Sequence, residues 1–293
     1  MHPFARTAAR GRGLAEARQS EAVPASQVLR GLARAFGAAL IFAVPMLMTE
    51  ELWDLGAAMD RRRLALMVVL AIPLLVGVAH RIGFEPSFGW REDLRDAFIA
   101  LGVGLVAAAA ILATFGVIGD PPRFDQAIGR AAIQAVPAAL GALLARSQLA
   151  RAGEKGEEGE DQPQAFGGYA GTLFMMLVGA LFLSLNMAPT QEMLLISFGM
   201  TAWHTIALIA LTLAVTHAFV YAGGNRDDRE ARQPLADFLR FSLVGYVLAL
   251  GVSAAVLWLF GRLDGLGLAA ALSATVVLGF PSALGAAAAR LIL

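Results

Sequence analysis

The chain has 293 residues, of which 58% are hydrophobic and 16% charged, and its formal net charge is zero. Its mean hydropathy is +0.65, and its apolar content exceeds the ~45–50% that is typical of soluble domains. This composition excludes an ordinary soluble protein. The absence of cysteine excludes disulfides, thiolate metal sites and cysteine nucleophiles. We therefore expect an integral membrane protein whose partner is the lipid bilayer and not nucleic acid.

Residues 1–30 are polar and rich in arginine and alanine. They lack the apolar core of a cleaved signal peptide and are predicted to form a disordered cytoplasmic tail. Apolar runs of about 20 residues, each long enough to cross a bilayer as a helix, follow the tail. We predict eight spans, at 34–56, 64–84, 96–118, 127–148, 170–195, 202–222, 236–260 and 265–289. The predicted fold class is all-α, a polytopic membrane protein.

The basic residues predict the orientation of these spans. Most of the 23 lysine and arginine residues fall in cytoplasmic segments if the N-terminus is inside, as the positive-inside rule requires. Arg61, Arg62 and Arg63 are the exception, because they follow the first span on the opposite side. We expect both termini to be cytoplasmic and the protein to lie in a bacterial inner membrane.

An internal repeat divides the chain into two halves. The segment 151–168 is acidic and glycine-rich, which predicts a disordered linker between four helices in 31–150 and four in 169–293. The segment VPAALGALLAR (136–146) matches FPSALGAAAAR (280–290) at its proline, glycine and arginine. Because each half holds an even number of spans, the two repeats should have the same orientation and be related by an axis along the membrane normal.

The repeat also pairs two acidic motifs. AVPMLMTEELW (43–53) aligns with SLNMAPTQEML (184–194), so that Glu51 matches Glu192 and each follows a threonine by two positions. A carboxylate inside a membrane span is costly and marks a functional site by default. Pro45 and Pro189 should each kink their helix and free a carbonyl oxygen, because proline cannot donate the helical hydrogen bond.

These features predict an oxygen-rich ion site shared by helices 1 and 5. Such ligands suit hard cations like Ca²⁺, Mg²⁺ or Na⁺, with protons as competitors for the carboxylates. Glu51 and Glu192 are the candidate metal ligands. The alternative is that the carboxylates only cap helices or bond one helix to another. The candidate ion-binding residues are Thr49, Glu50, Glu51, Asn186, Thr190, Gln191 and Glu192.

PMLMTEELW, its second copy around NMAPTQEM and the eight-span plan resemble a bacterial family of integral membrane proteins of unassigned function. That resemblance covers most of residues 30–293 and implies no activity. The proline and glutamate repeats are also faintly similar to those of cation/calcium exchangers, although those use inverted repeats of five helices.

The functional hypothesis is a secondary cation transporter or channel, linked to protons, with inorganic cations or protons as its partners and no cofactor other than a bound cation. The alternative is a non-transporting membrane sensor or assembly protein whose carboxylates are structural. An enzyme is not expected, since no nucleophile or metal set accompanies the paired acids. The chain could also form a homo-oligomer.

Overall fold

The computed structural model describes residues 49–82, 89–118, 123–153, 168–222 and 238–292. Before these it describes residues 29, 32–33, 35–37 and 39–40. The description covers the backbone but not the side chains of residues 81–82, 144–153, 220–222 and 291–292. The chain divides into two compact units, Met1–Arg34 and Ala35–Leu293. The helices named below all belong to the second unit. Pro45, almost all of the predicted tail and the greater part of the predicted linker lie outside the described residues.

The described residues are helical, with turns between helices and no strand. This confirms the all-α prediction. The helices are α1 (Glu50–Ala58), α2 (Arg61–Ile82), α3 (Trp90–Thr114), α4 (Phe124–Gly153), α5 (Tyr169–Met187), α6 (Glu192–Gly199), α7 (Ala202–Ala222), α8 (Val244–Leu259), which continues a π-helical turn at Phe238–Leu243, and α9 (Leu268–Ile292).

Six stretches of the described residues are long and apolar enough to cross a membrane. They correspond to six of the eight predicted spans, and together they support a polytopic membrane protein. They are Arg61–His80, Trp90–Thr114, Tyr169–Met187, Ala202–Phe219, Phe238–Leu259 and Leu268–Arg290. Large apolar side chains such as Val69, Val106 and Val247 are exposed along them, as expected of surfaces that face lipid.

The other two predicted spans have different outcomes. The span at 127–148 is helical, but α4 extends to Gly153 and includes the first residues of the predicted linker. Its stretch from 131 to 143 is almost wholly buried among neighbouring helices, with Gln134 completely enclosed. The span at 34–56 lies partly outside the described residues, and its last part is the short helix α1. The count of eight spans therefore stays a prediction.

The first helix group consists of α1 to α4, with α4 at its centre in contact with the other three. Close approach of backbones requires glycine at two crossings. A Cβ atom on Gly56 would lie 2.7 Å from the carbonyl oxygen of Gly129, and one on Gly104 would lie 2.7 Å from that of Ala135. Small residues at these crossings let α1 and α3 pack directly on the backbone of α4.

The second helix group consists of α5 to α9, with α9 at its centre in contact with α5, α6, α7 and α8. Gly179 on α5 and Gly285 on α9 meet backbone to backbone, so that a Cβ on either would collide with the carbonyl oxygen of the other. Beside this crossing the buried hydroxyls of Ser184 and Ser282 are hydrogen-bonded at 2.7 Å. The two helix groups touch through α2 with α8 and through α4 with α5.

The central helices α4 and α9 each contain a proline, Pro137 and Pro281 respectively, which the repeat alignment places at equivalent positions. Each group also has a short helix that begins at an acidic residue, Glu50 in α1 and Glu192 in α6, although the alignment pairs Glu192 with Glu51. The duplication and the symmetry relation between the two halves are still predictions.

Candidate functional site

The span predicted at 170–195 is not one helix. α5 ends at Met187, residues 188–191 form a turn, and the chain becomes helical again at Glu192. Pro189 lies in this turn, where it has no N–H to donate to the carbonyl of Leu185. The break leaves the Pro189 carbonyl outside any regular helix and places Gln191 immediately before α6.

The first acidic motif occupies the start of α1. Thr49 precedes the helix in an extended conformation (φ −97°, ψ 120°), with no capping bond from its side chain, and Glu50 and Glu51 lie in the first turn. Carboxylates at this position are favoured by the partial positive charge of a helix N-terminus. The helix geometry alone therefore accounts for some of the preference for acids here.

A cleft of about 430 Å³ brings parts of the two motifs together. Glu50, Glu51 and Asp54 line it from α1, Gln191 lines it from the turn before α6, and Arg262 reaches it from the loop between α8 and α9; Leu55 and Ala58 complete the wall. Three carboxylates thus face one guanidinium. This combination makes the cleft net acidic.

Among the described residues that line this cleft, Arg262 is the one cationic side chain. It donates a hydrogen bond to the carbonyl oxygen of Pro189, so the proline break in the helix has a direct polar partner. Burial lowers the pKa of Arg262, while the attraction of the Glu51 carboxylate acts in the opposite direction. Arginine remains protonated in proteins, so Arg262 serves as a fixed counter-charge to Glu51.

Asp54 of α1 also interacts with the central helix of the first helix group. One of its carboxylate oxygens lies 3.8 Å from a guanidinium nitrogen of Arg130 on α4. The same arginine donates to the carbonyl oxygen of Val117 at 2.6 Å. Asp54 is exposed, so this pair contributes little to the free energy of folding, and its carboxylate stays available to a ligand.

The remaining predicted site residues do not line the cleft. The Thr190 hydroxyl donates to the carbonyl of Met187 at 2.9 Å, and the Asn186 amide donates to that of Phe182 at 2.8 Å. Glu192 is exposed in the first turn of α6. Within the described ranges no three His, Asp or Glu side chains are arranged to hold a metal ion. The proposed pairing of Glu51 with Glu192 stays a prediction.

A second cleft, of about 380 Å³, adjoins the first and shares Leu55 and Ala58 with it; its other lining residues are Met59, Asp60, Arg63, Leu259, Phe260, Gly261 and Asp264. Its lining mixes apolar side chains with the charged Asp60, Arg63 and Asp264. Arg63 forms two hydrogen bonds with the carboxylate of Asp264, at 2.7 and 3.0 Å, and lies 5.3 Å from the ring centroid of Trp258.

The structure supplies partners for two of the three arginines that were the exception to the predicted orientation. Arg63 joins the first helix group to the loop after α8 through Asp264. Arg61 donates to the carbonyl oxygens of Gly56 and Ala57, each at 3.0 Å, and so satisfies groups at the end of α1. The orientation of the spans stays a prediction.

The exposed Asp264 makes a small, acid-sensitive contribution to the stability of this region. The hydrogen bond from Arg63 holds the pKa of Asp264 below its ordinary value. The ion pair therefore contributes fully above the ordinary carboxyl pKa of ~3.9, and this contribution is lost as the pH falls through the lower pKa of the folded state. We expect Asp264→Asn to reduce the loss of thermal stability below about pH 4, measured as Tm against pH. An unchanged acid profile would contradict this role.

Arg262, Arg63 and Asp264 were not predicted as site residues. One signal was present in the sequence, since the loop Gly261–Gly265 places an arginine and an aspartate between two apolar spans. Gly261 and Gly265 have φ of 72° and 76°, values that favour glycine. Glycines in this conformation make a tight turn, which directs the charged side chains toward the clefts.

One further ionisable pair lies at the other end of α2. His80 and the buried Asp93 of α3 are joined at 2.8 Å between Nδ1 and a carboxylate oxygen. The other oxygen of Asp93 is buried without a hydrogen-bond partner in the described part of the chain. A buried acid near the end of a membrane span is a candidate for proton transfer.

Comparison with known proteins gives a family but no activity. A family model described as "Putative integral membrane protein (DUF2391)" matches residues 31–293. The chain belongs to this family, which agrees with the resemblance inferred from the sequence. No curated protein matches the chain, and no solved structure matches it.

Proposed function

We propose that this member of the DUF2391 family moves cations across a membrane, as a secondary transporter or channel linked to protons. The observation that carries the proposal is the acidic cleft, which Glu50, Glu51 and Asp54 line from the first helix group and Gln191 lines from the proline break in the second. If both termini are cytoplasmic in a bacterial inner membrane, this cleft opens on the outer face. It would then be the entry site.

The charge balance of the cleft suits a cation that arrives from water. Glu50, Glu51 and Asp54 carry three negative charges against the single charge of Arg262, so one cation can bind without requiring that the guanidinium leave. Deeper passage would require Arg262 to move. Because Arg262 is also bonded to the Pro189 carbonyl, its movement would change the contact between the turn before α6 and the loop after α8.

Proton linkage follows from the same residues. Glu50 and Glu51 are neighbours in the first turn of α1, and a proton on either removes a charge that a cation would otherwise neutralise. Protons and cations would therefore compete for one site, which is the simplest basis for exchange. The His80–Asp93 pair offers a second proton-binding group near the other end of α2.

The alternative is a non-transporting sensor or assembly protein, and one observation favours it. Two charge interactions connect the first helix group to the loop between α8 and α9, namely Glu51 with Arg262 and Arg63 with Asp264. Interactions of this kind can hold two helix groups together without any ion passing. In that case the carboxylates are structural.

Flux measurements distinguish these functions. The purified full chain would be reconstituted in proteoliposomes and tested with H⁺, Na⁺, K⁺, Ca²⁺ and Mg²⁺, with a pH dye inside and protein-free liposomes as the control. We expect saturable entry of at least one cation. If the protein exchanges that cation for protons, protons should leave the liposomes as the cation enters, and the internal pH should rise. If monodisperse, correctly inserted protein carries none of the five, inorganic cation transport is wrong and the structural alternative is favoured.

A further inference from the structure

We infer that the second helix group binds the headgroup of an anionic phospholipid at the end where α5 begins and α9 finishes. The site consists of two arginines and two aromatic residues, Tyr169, Arg240, Phe241 and Arg290, which together are called the cationic cluster below. None of these four residues lines either cleft. The inference is independent of cation transport, because lipid binding is measured on the protein in detergent.

The cationic cluster lies where lipid headgroups are expected. Tyr169 is the first residue of one candidate span, Arg240 lies near the start of another, and Arg290 is the last residue of a third. The ends of such spans lie at the level of the headgroups, where tyrosine is enriched. Phe241 brings the three ends together, because its ring centroid lies 5.7 Å from that of Tyr169 and 3.7 Å from the guanidinium carbon of Arg290. The cluster is thus at the depth of lipid phosphates.

Tyr169 restricts Arg240 in two ways. Its hydroxyl donates a hydrogen bond to the backbone carbonyl oxygen of Arg240 at 2.8 Å, and its ring centroid lies 5.7 Å from the guanidinium carbon. Arg240 belongs to the π-helical turn at Phe238–Leu243, and such turns are frequent at functional sites. These contacts order the arginine before a ligand arrives, which lowers the entropy lost on binding.

The Arg240 guanidinium is available to a ligand. A cation–π contact uses the positive charge of a guanidinium but none of its five N–H groups. Arg61, Arg63 and Arg130 each donate to a carbonyl or carboxylate oxygen of the protein. Within the described ranges, no oxygen of the protein accepts a hydrogen bond from the Arg240 side chain. Arg240 is exposed, so a phosphate can reach these donors, and phosphate oxygens match their planar arrangement.

The surrounding helices disfavour a headgroup that also carries a positive charge. The helices α5, α7, α8 and α9 and the π-helical turn contain no aspartate or glutamate, so no carboxylate in these elements can receive the ammonium of a zwitterionic lipid. Arg240 and Arg290 supply only positive charge. Basic sites between the ends of membrane spans are typical of those that bind anionic headgroups. The ligand class is therefore a phospholipid with a net negative headgroup.

Native mass spectrometry of the purified full chain tests this lipid preference. The protein is incubated in detergent with equal amounts of phosphatidylglycerol and phosphatidylcholine that have the same acyl chains. We expect phosphatidylglycerol to be retained about five-fold more strongly, which is the effect of one arginine near an anionic headgroup. Equal retention of the two lipids would overturn the inference. Glycerol 3-phosphate at the same concentration should not displace the lipid; if it does, the ligand is a soluble phosphate and the lipid site is wrong.

Two arginine variants locate the site. Arg240→Gln should lower the retention of phosphatidylglycerol about five-fold and leave that of phosphatidylcholine unchanged. Arg91→Gln is the matched control and should change neither. Arg91 is also exposed and lies 5.7 Å from the ring centroid of Trp90 near the start of a span, but the acidic Glu92 and Asp93 follow it in the first turn of α3. An equal decrease in both variants would show attraction by any arginine at a span end and reject the site, as would unchanged retention in Arg240→Gln.

Arg240→Lys shows whether positive charge is the cause. This variant keeps the charge but loses the planar set of donors, so we expect it to recover part of the retention that Arg240→Gln loses. Size-exclusion chromatography of each variant confirms that the protein stays monodisperse. If Arg240→Lys retains no more phosphatidylglycerol than Arg240→Gln does, the charge of this residue does not bind the headgroup and the inference is wrong.

Discussion

Replacing Gly179 with leucine should prevent the second helix group from assembling. The backbones of α5 and α9 meet at Gly179 and Gly285, and a Cβ on Gly179 would collide with the Gly285 carbonyl oxygen and the Ala289 side chain. Overpacking commonly costs 1–3 kcal/mol. Here the obstacle is mainly backbone, which cannot rotate away as a side chain can, so we expect a loss above about 3 kcal/mol. Loss of the monodisperse peak in size-exclusion chromatography would show it.

Gly251→Leu is the matched control for this prediction. Gly251 lies on α8 in the same helix group, is exposed, and has no atom within 4 Å of an added Cβ. A leucine there meets only open space or lipid, and it improves helix propensity by up to ~1 kcal/mol. It should be purified like the wild type. If Gly179→Leu behaves in the same way as the control, the close crossing of α5 with α9 is wrong.

Glu51→Gln should reduce cation flux to the level of protein-free liposomes. The substitution removes one of three negative charges from the cleft and leaves Arg262 without its main counter-charge. A loss of only ~1.4 kcal/mol in cation binding already lowers affinity ten-fold, and loss of coupling to Arg262 adds to it. Initial rates at a cation concentration near the wild-type half-saturation point measure the effect. Because the repeat alignment pairs Glu192 with Glu51, Glu192→Gln is predicted to abolish flux as well.

Asp125→Asn is the control for both glutamate variants. Asp125 also lies in the first turn of a helix, α4, and is exposed, but it lines neither cleft. Its loss changes the net charge equally and should leave flux unchanged. Normal flux in Glu51→Gln would reject the carboxylate site. A loss in Glu51→Gln with normal flux in Glu192→Gln would restrict the site to the cleft that the structure shows.

The sequence predicted the helices well because membrane spans are determined locally. A run of about 20 apolar residues forms a helix in a bilayer whatever its neighbours are, since every backbone polar group must be bonded within the segment. Six predicted spans contain helices long enough to cross a membrane, although the one predicted at 170–195 ends at Met187. The break between α5 and α6 is also determined by the local sequence, because Pro189 has no N–H to donate to the helical hydrogen-bond ladder. Hydropathy alone could not distinguish α4 as a buried central helix.

The tertiary structure decided which of the motif residues share a site. Repeat alignment paired Glu51 with Glu192, but the turn at 188–191 brings Gln191 to the cleft and leaves Glu192 outside its lining. Arg262 lies more than two hundred positions from Glu51 in the chain, and only the packing of the loop after α8 against α1 brings their charges together. Helix formation depends on interactions between near neighbours, whereas charge pairing across a bundle depends on how separate helices pack. The sequence by itself therefore determined the class of protein and the acidic character of α1. The tertiary structure determined that the arginine Arg262 lines the same cleft as the α1 carboxylates.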